Sequence, residues 1–323
     1  MKKLTFLLLI IFVSGCTSGK AVQQESLLQD SGSIEVYFCP EQECEEKLLS
    51  FLDSAQDSIH CALFDIGLAS VQKKLDEKEK KIEVLIITDN DYVKKFNHHF
   101  VKADTYGLMH NKFCVIDGKK VITGSMNPTD NDANKNNNNV LFIDSRIIAQ
   151  NYEDEFQELF AGTFKKGEPV KEPKINLSGM RMENYFCPDD RCAEQVKEEL
   201  KKAERSIYFM TFSFTHEGIA NILLLKNLDG ITVSGVMEAR QISEYSQFNR
   251  LLQNGIDVRK DGNKNNMHHK VFIIDEKTVV TGSFNPTNNG DKNNDENVVI
   301  IEDPAIADLF VVEFWKVYGE AGS

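Results

Sequence analysis

The chain has 323 residues, 41% of them hydrophobic, with 37 basic against 50 acidic side chains. That is long enough for two medium domains with ample cores and too apolar for a disordered chain. A net charge of −13 argues against a broad polyanion-binding surface, although a single basic groove is compatible with it.

The first residues read as a targeting segment. Lys2 and Lys3 precede a short apolar run, Leu4 to Val13, too short to span a bilayer comfortably. Val13-Ser14-Gly15-Cys16-Thr17 follows, and small residues before a cysteine resemble a prokaryotic lipobox, in which the cysteine is lipidated and becomes the new N-terminus. The alternatives are an ordinary cleaved signal with a chance cysteine, or a retained anchor. The first reading makes residues 1–15 a signal peptide, Cys16 the lipid anchor on the extracytoplasmic face of a membrane, and residues 16–33 a polar tether. Loss of Lys2 and Lys3 leaves 35 basic against 50 acidic groups, a balance of −15.

Tyr37-Phe38-Cys39-Pro40 runs on to Cys44, and Tyr185-Phe186-Cys187-Pro188 runs on to Cys192. Two cysteines around a proline-started helix can close a small disulfide in an oxidising compartment, so Cys39–Cys44 and Cys187–Cys192 are expected as local bridges. A metal site built from both pairs is the rival, although zinc pairs more often use shorter spacing. Cys61 and Cys114 sit in strand-like apolar runs and are expected as buried free thiols.

These echoes belong to a duplication. Tyr37 matches Tyr185 and Ser58 matches Ser206 at an offset of 148; Phe156 matches Phe314 at an offset of 158. In the first half, strands are expected near Ile34–Phe38, Ile59–Phe64, Ile82–Thr88, Lys112–Ile116, Lys120–Thr123 and Val140–Asp144. A helix closes each half, near Arg146–Phe160 and Ala305–Tyr318. The ten extra residues of the second half fall around Leu251 to Val258, read as a helix end, a glycine stop and a strand without a clear first-half equivalent. Alternating elements with apolar strands argue α/β. The domains expected are 34–164 and 181–323, joined by a linker over 165–180 that is rich in charge and carries Gly167, Pro169 and Pro173.

The duplicated stretch that carries chemistry is His110-Asn111-Lys112 with Asp117, repeated as His268-His269-Lys270 with Asp275. Alternation on a strand puts His and Lys on one face. Gly124-Ser125-Met126-Asn127 and Gly282-Ser283-Phe284-Asn285 follow at identical spacing, and Asn138 and Glu296 each lie eleven residues further on. Two imidazoles and two ammoniums suit in-line attack on a phosphodiester: one His as nucleophile, the other as acid for the leaving oxygen, with lysines holding the phosphoryl oxygens. This logic requires neither a metal nor a cofactor.

Two H-x-K-x4-D motifs, each followed by G-S-x-N, resemble the phospholipase D superfamily, the HKD phosphodiesterases. The resemblance covers the chain from about residue 34 onward. It implies two pseudo-twofold related phospholipase D-like halves, each a mixed β-sheet flanked by helices, with both HKD strands meeting in the middle. One chain then completes the site, so oligomerisation is not needed. Catalytic roles carry over to His110, Lys112, Asp117, His268, Lys270, Asp275 and Glu296, with a structural role for Asp117 and Asp275 open because they lie at the far strand ends. Ser125, Asn127, Ser283 and Asn285 are expected to bind phosphate. In these enzymes a Glu typically bonds the non-reacting ring nitrogen of the His in its own half. That pairs Glu296 with His268 and leaves Asn138 to orient His110, making His268 the proton carrier and His110 the nucleophile. The rival for Asn138 is one of a run of loop asparagines. His98, His99 and His269 have no twin and read as incidental, while His216 is a candidate for lining the pocket. The substrate reading is a phospholipid headgroup, with an exported endonuclease acting on DNA or RNA as the alternative.

Overall fold

The computed structural model describes residues 27–322. The signal peptide, Cys16 and the tether as far as residue 26 lie outside them. Among the described residues no helix is long and apolar enough to cross a membrane.

Each half is built on one mixed sheet, and the strand order is the same in both. In the first half it runs Ser33–Cys39, Asn138–Asp144, Lys120–Gly124, Lys112–Ile116, Ser58–Leu63, Glu83–Thr88, Val101–Ala103. In the second it runs Met180–Cys187, Asn294–Glu302, Thr278–Gly282, Lys270–Ile274, Ser206–Thr211, Thr232–Met237, Asp257–Lys260. The HKD strand is central each time and buried along its whole length, which is why it reads as an uninterrupted apolar run. The short edge strand Val101–Ala103 pairs parallel with Glu83–Thr88, as Asp257–Lys260 pairs with Thr232–Met237. The first half therefore does have the edge element that its polar sequence concealed.

The expected tether and linker are partly structured. Leu28–Asp30 pairs parallel with Lys174–Leu177, which pairs in turn with Met180–Cys187. Residues assigned to tether and linker thus extend the second sheet at its edge.

The closing helices hold the halves together. Ser145 accepts a hydrogen bond from the Ile148 amide at 3.2 Å and starts Arg146–Phe160; Asp303 does the same for Ile306 at 2.9 Å and starts Pro304–Glu320. Helical spacing turns Ile148, Tyr152, Phe156 and Leu159 to one face, and Phe310, Phe314 and Val317 to the other helix's inner face. Both faces join one cluster that draws residues from both sheets, including Phe113, Phe186, Val271 and Val299. Each fully buried aromatic here contributes about 2–3 kcal/mol by burial. Separate clusters beneath the outer helices complete each half.

Cys39–Cys44 and Cys187–Cys192 are disulfide-bonded, with Cα atoms 5.7 Å and 5.5 Å apart. Cys61 and Cys114 are not free thiols: they face each other on neighbouring antiparallel strands, Cα atoms 4.0 Å apart, and form a third bridge. The expectation of free thiols lacked the strand register that brings them opposite each other.

Candidate active site

The HKD strands meet where the halves meet, and the pairing that brings them together crosses the interface. Leu108–Met109, just before His110, lies parallel to Asn294 and Asp295 of the second half. Asn137 bridges to Met267, just before His268. The His110 amide donates to the Asp295 carbonyl at 3.0 Å and the His268 amide to the Asn137 carbonyl at 2.9 Å.

This crossing overturns the expected partners. His110 Nδ1 donates to Glu296 Oε2 at 2.7 Å, and His268 Nδ1 donates to Asn138 Oδ1 at 2.9 Å. Each histidine is held by the other half's side chain. The pairing of Glu296 with His268 and of Asn138 with His110 is corrected accordingly, because each motif's approach strand runs beside the other half's 138/296 strand. In both pairings Nδ1 is occupied and Nε2 is left for chemistry.

The remaining partners repeat with the same symmetry. Lys112 Nζ donates to the His110 carbonyl at 2.7 Å and Lys270 Nζ to the His268 carbonyl at 2.8 Å. Phe64 lies edge-on to His110 with ring centroids 4.9 Å apart, and Phe212 to His268 at 4.7 Å. The same two rings lie 5.0 Å from Lys112 Nζ and Lys270 Nζ. Asn297 Nδ2 donates to Asn111 Oδ1 at 2.9 Å, and Asn139 Nδ2 donates to His269 Nδ1 at 3.1 Å. His269 is therefore no incidental residue. It is wholly buried in the interface, with Nε2 3.3 Å from Glu313 Oε1.

Ser125 and Ser283 face inward. Ser125 Oγ donates to Asn138 Oδ1 at 2.9 Å and accepts from the Asn139 amide at 3.0 Å. Ser283 Oγ accepts from the Asn297 amide at 2.9 Å and lies where it lowers the Glu296 carboxyl. Both serines are wholly buried, so they orient the 138/296 side chains rather than waiting for substrate. The side-chain oxygens of Asn127 and Asn285 are both buried without a protein donor, and Asn127 Nδ2 donates to Asp132 Oδ2 at 2.7 Å.

Asp117 and Asp275 stand at the opposite ends of their strands. The Asp117 carboxylate accepts from the Gln56, Asp57 and Ser58 amides at 2.7–3.1 Å, and Asp275 accepts from Glu204, Arg205 and Ser206 at 2.7–2.9 Å. The catalytic role expected of them is replaced by a turn-fixing one, since H-x-K-x4-D spans a whole strand. His216 caps the helix Glu217–Leu228 through Nδ1, 3.2 Å from the Ile219 amide, and does not enter the site. His98 and His99 pair with Asp76 and Glu79 at the surface.

Burial governs the electrostatics. It depresses both imidazoles well below the ordinary histidine value, and the Lys112 and Lys270 charges add to the effect. Burial pulls Lys112 down to about 8 and pushes Glu296 up to about 7. Lys270 is lowered by burial and then by the like charge of Lys112. The Asp132 and Glu296 carboxylates offset the burial of the two ammoniums only in part, so the pair suits an anion.

Asp132 was not singled out in the sequence. It is 5% exposed, on the short helix Asp130–Asn134, and its Oδ2 lies 3.6 Å from His268 Nδ1. It also accepts from the Asn127 amide at 2.9 Å and from Asn136 Nδ2 at 2.6 Å. The signal was available: the matching second-half residue is Gly290.

A family model described as "Cardiolipin synthase, PLD-like domain" matches residues 48–160 and 196–318. The chain is 35% identical over 141 residues to a phospholipase D of Rickettsia typhi, covering 43% of this chain and 69% of that one. It is 34% identical over 122 residues to a mitochondrial cardiolipin hydrolase of Mus musculus, covering 38% and 55%. Phosphatidylserine synthase of Haemophilus influenzae shares the fold at a TM-score of 0.66 and 13% identity, over 88% of this chain and 85% of that one.

Proposed function

Because this chain belongs to the phospholipase D superfamily, and is a phosphodiesterase of that type, we propose that it hydrolyses phospholipid headgroups through a phosphohistidine formed on His268. The observation that carries the assignment is the crossed pairing: carboxylate on His110, amide on His268. A carboxylate at Nδ1 favours the imidazolium, so His110 is the proton carrier. An amide oxygen at Nδ1 keeps that proton in place and leaves the Nε2 lone pair of His268 free to attack.

In the first step the His268 Nε2 lone pair forms an N–P bond. The P–O bond to the leaving alcohol breaks, and His110 gives that oxygen its Nε2 proton. In the second step water attacks phosphorus and yields a proton to His110, and the N–P electrons return to His268. A phosphomonoester leaves. Lys112, Lys270, Asn127 and Asn285 hold the phosphoryl oxygens, whose charge needs buried donors most in the transition state. This set supplies nucleophile, acid and countercharge, so activity is expected to persist in chelator; loss in chelator with recovery on adding a divalent ion would overturn it.

The lipid reading draws on the acidic net charge, the Lys-Lys, apolar and V-S-G-C order of the N-terminus, and the phospholipase D and cardiolipin hydrolase relatives. A lipidated Cys16 would hold the enzyme on the extracytoplasmic membrane face, and Cys16→Ser should release it or stall its processing. The deciding assay sets headgroup release from vesicles beside cleavage of single-stranded DNA, both in chelator. Headgroup release supports the lipid reading; DNA cleavage alone would replace it with an exported nuclease.

A further inference from the structure

The two histidines do not have equivalent partners on the 138/296 strand, yet each has one buried carboxylate within reach. For His110 it is Glu296. For His268 the strand offers only Asn138, and the carboxylate comes instead from Asp132, six residues earlier on the short helix. A second, independent feature follows the same exchange. Asn294 Nδ2 donates to Glu296 Oε1 at 3.1 Å, while its twin Asn136 donates to Asp132 Oδ1 at 2.6 Å. The amide that steadies the carboxylate has turned from the strand to the helix in the half where the acid moved.

The exchange is sterically consistent. A Cβ added at Gly290, the twin of Asp132, would lie 2.5 Å from the Asn285 carbonyl oxygen and 3.1 Å from the Phe284 ring. The second half has no room for a helix carboxylate and keeps its acid on the strand. The first half has Asp132 on the helix and a neutral residue on the strand.

We propose that Asp132 is a positioning residue for His268, supplying from the helix the negative charge that Glu296 supplies to His110 from the strand. This rests on the phosphohistidine reading given above. With phosphorus on Nε2 and a proton kept on Nδ1, the His268 ring is formally cationic. Asn138 fixes that proton but brings no charge, and Asp132 brings the charge. The other charged groups that act most strongly on His268 are Lys270, Lys112 and His110, all of which oppose a cationic ring, and Asp132 is the carboxylate that offsets them most. Burial by itself would raise the Asp132 carboxyl, but the His268 ring and the Asn127 and Asn136 donors outweigh it, and the group is held below the usual carboxylate range.

The test uses the full chain and two variants. Asp132→Asn should lower kcat about 10²-fold with little change in KM. In the free protein it should move the His268 titration, followed by ¹⁵N NMR of the ring nitrogens, down by about one unit, and that of His110, which also feels the Asp132 charge, by less. Asp132→Gly with Asn138→Glu rebuilds the second half's arrangement and should restore the His268 titration and part of kcat. An unchanged kcat and titration in Asp132→Asn would overturn the proposal. So would a fall in kcat with no shift of His268 and no rescue by the double variant, which marks a merely structural role. In the parent protein the Asp132 side-chain carboxyl ¹³C shift should follow His268's titration, and a shift blind to His268 overturns the proposal without any variant. If the parent cleaves no phosphodiester while the His268 shift persists, the functional reading falls and the pairing stands.

Discussion

At the centre of the first sheet Cys61 is bonded to Cys114, and at the same place in the second sheet Phe209 faces Phe272 with ring centroids 6.1 Å apart. The two halves share strand order, register and the site of every active side chain, but they fill matched positions with different chemistry. Asn138 with Asp132 stands against Glu296 with Gly290, and Asn111 against His269. Backbone pairing across the interface is what makes the site twofold; the side chains that fill it then divide its labour. A strictly symmetric pair of histidines would have no reason to take different roles. Here one is hydrogen-bonded directly to a carboxylate, while the other bonds an amide and has its carboxylate 3.6 Å away on the short helix.

The largest effect should come from that division. His110→Ala and His268→Ala should each lower activity by at least about 10⁴-fold, because removing one member of a cooperating set loses most of the set. They should differ in what accumulates. Quenching at low pH and mapping by mass spectrometry should find phosphate on His268 in the parent. His110→Ala should still form the adduct, slowly, when the leaving group is a good one, and His268→Ala should form none. Phosphate recovered on His110 would invert the assignment.

Next comes the core pair. In the chain-entropy picture a bridge closing 53 residues is worth about 4 kcal/mol. Cys61→Ala with Cys114→Ala should cost about that much in denaturant unfolding, and Phe209→Ala should cost about 3–5 kcal/mol through cavity formation. Reductant should destabilise the parent and leave the relative loss in Phe209→Ala unchanged. Equal stability of the oxidised and reduced parent would mean that the bridge adds nothing beyond packing.

Much of this was readable in the residues. The strands at Lys112–Ile116 and Lys270–Ile274 and the closing helices announce themselves by continuous apolar runs and helical spacing. What was not readable depends on pairing between distant segments. Leu108–Met109 is two residues long, and nothing local says that it lies beside Asn294 and Asp295; the crossed His110–Glu296 bond follows from that alone. The Cys61–Cys114 bridge needs the register of two strands 53 residues apart. Leu28–Asp30 is a Leu-Gln-Asp triplet made a strand by its neighbour. Asp132 is the exception, since lining up the halves sets it against Gly290 and marks an acid gained where another was lost.

The lysines test the same comparison more gently. Lys112→Met should lower kcat/KM about 10²-fold by removing one of two buried countercharges for the phosphoryl group. Burial brings Lys112 to about 8, so raising pH through that value removes its proton and its charge in the free enzyme. kcat/KM should therefore fall above about pH 8, while the limb in kcat should sit higher, since a bound anion favours the ammonium. A kcat/KM profile flat to pH 10 would show that neither lysine loses its charge in that range.

The smallest effect belongs to the pair the halves share most closely. Burial raises the Asp117 and Asp275 carboxyls, but three backbone amides outweigh it in each case and hold them below the usual carboxylate value. A group with a lowered folded value binds fewer protons folded than unfolded, so its stabilisation is present above its unfolded value, near 3.9, and lost as pH falls through the folded one. Both groups are partly open to solvent, so each is worth only about 1 kcal/mol. Asp117→Asn and Asp275→Asn should lower stability by about that amount at pH 7, with the deficit shrinking in acid as the parent carboxylates take up protons. Catalytic constants should stay within about twofold of the parent, because these side chains touch the turns before Ser58–Leu63 and Ser206–Thr211 rather than the reacting atoms. A loss of kcat comparable to that of a histidine variant, with stability intact, would return both aspartates to the chemistry.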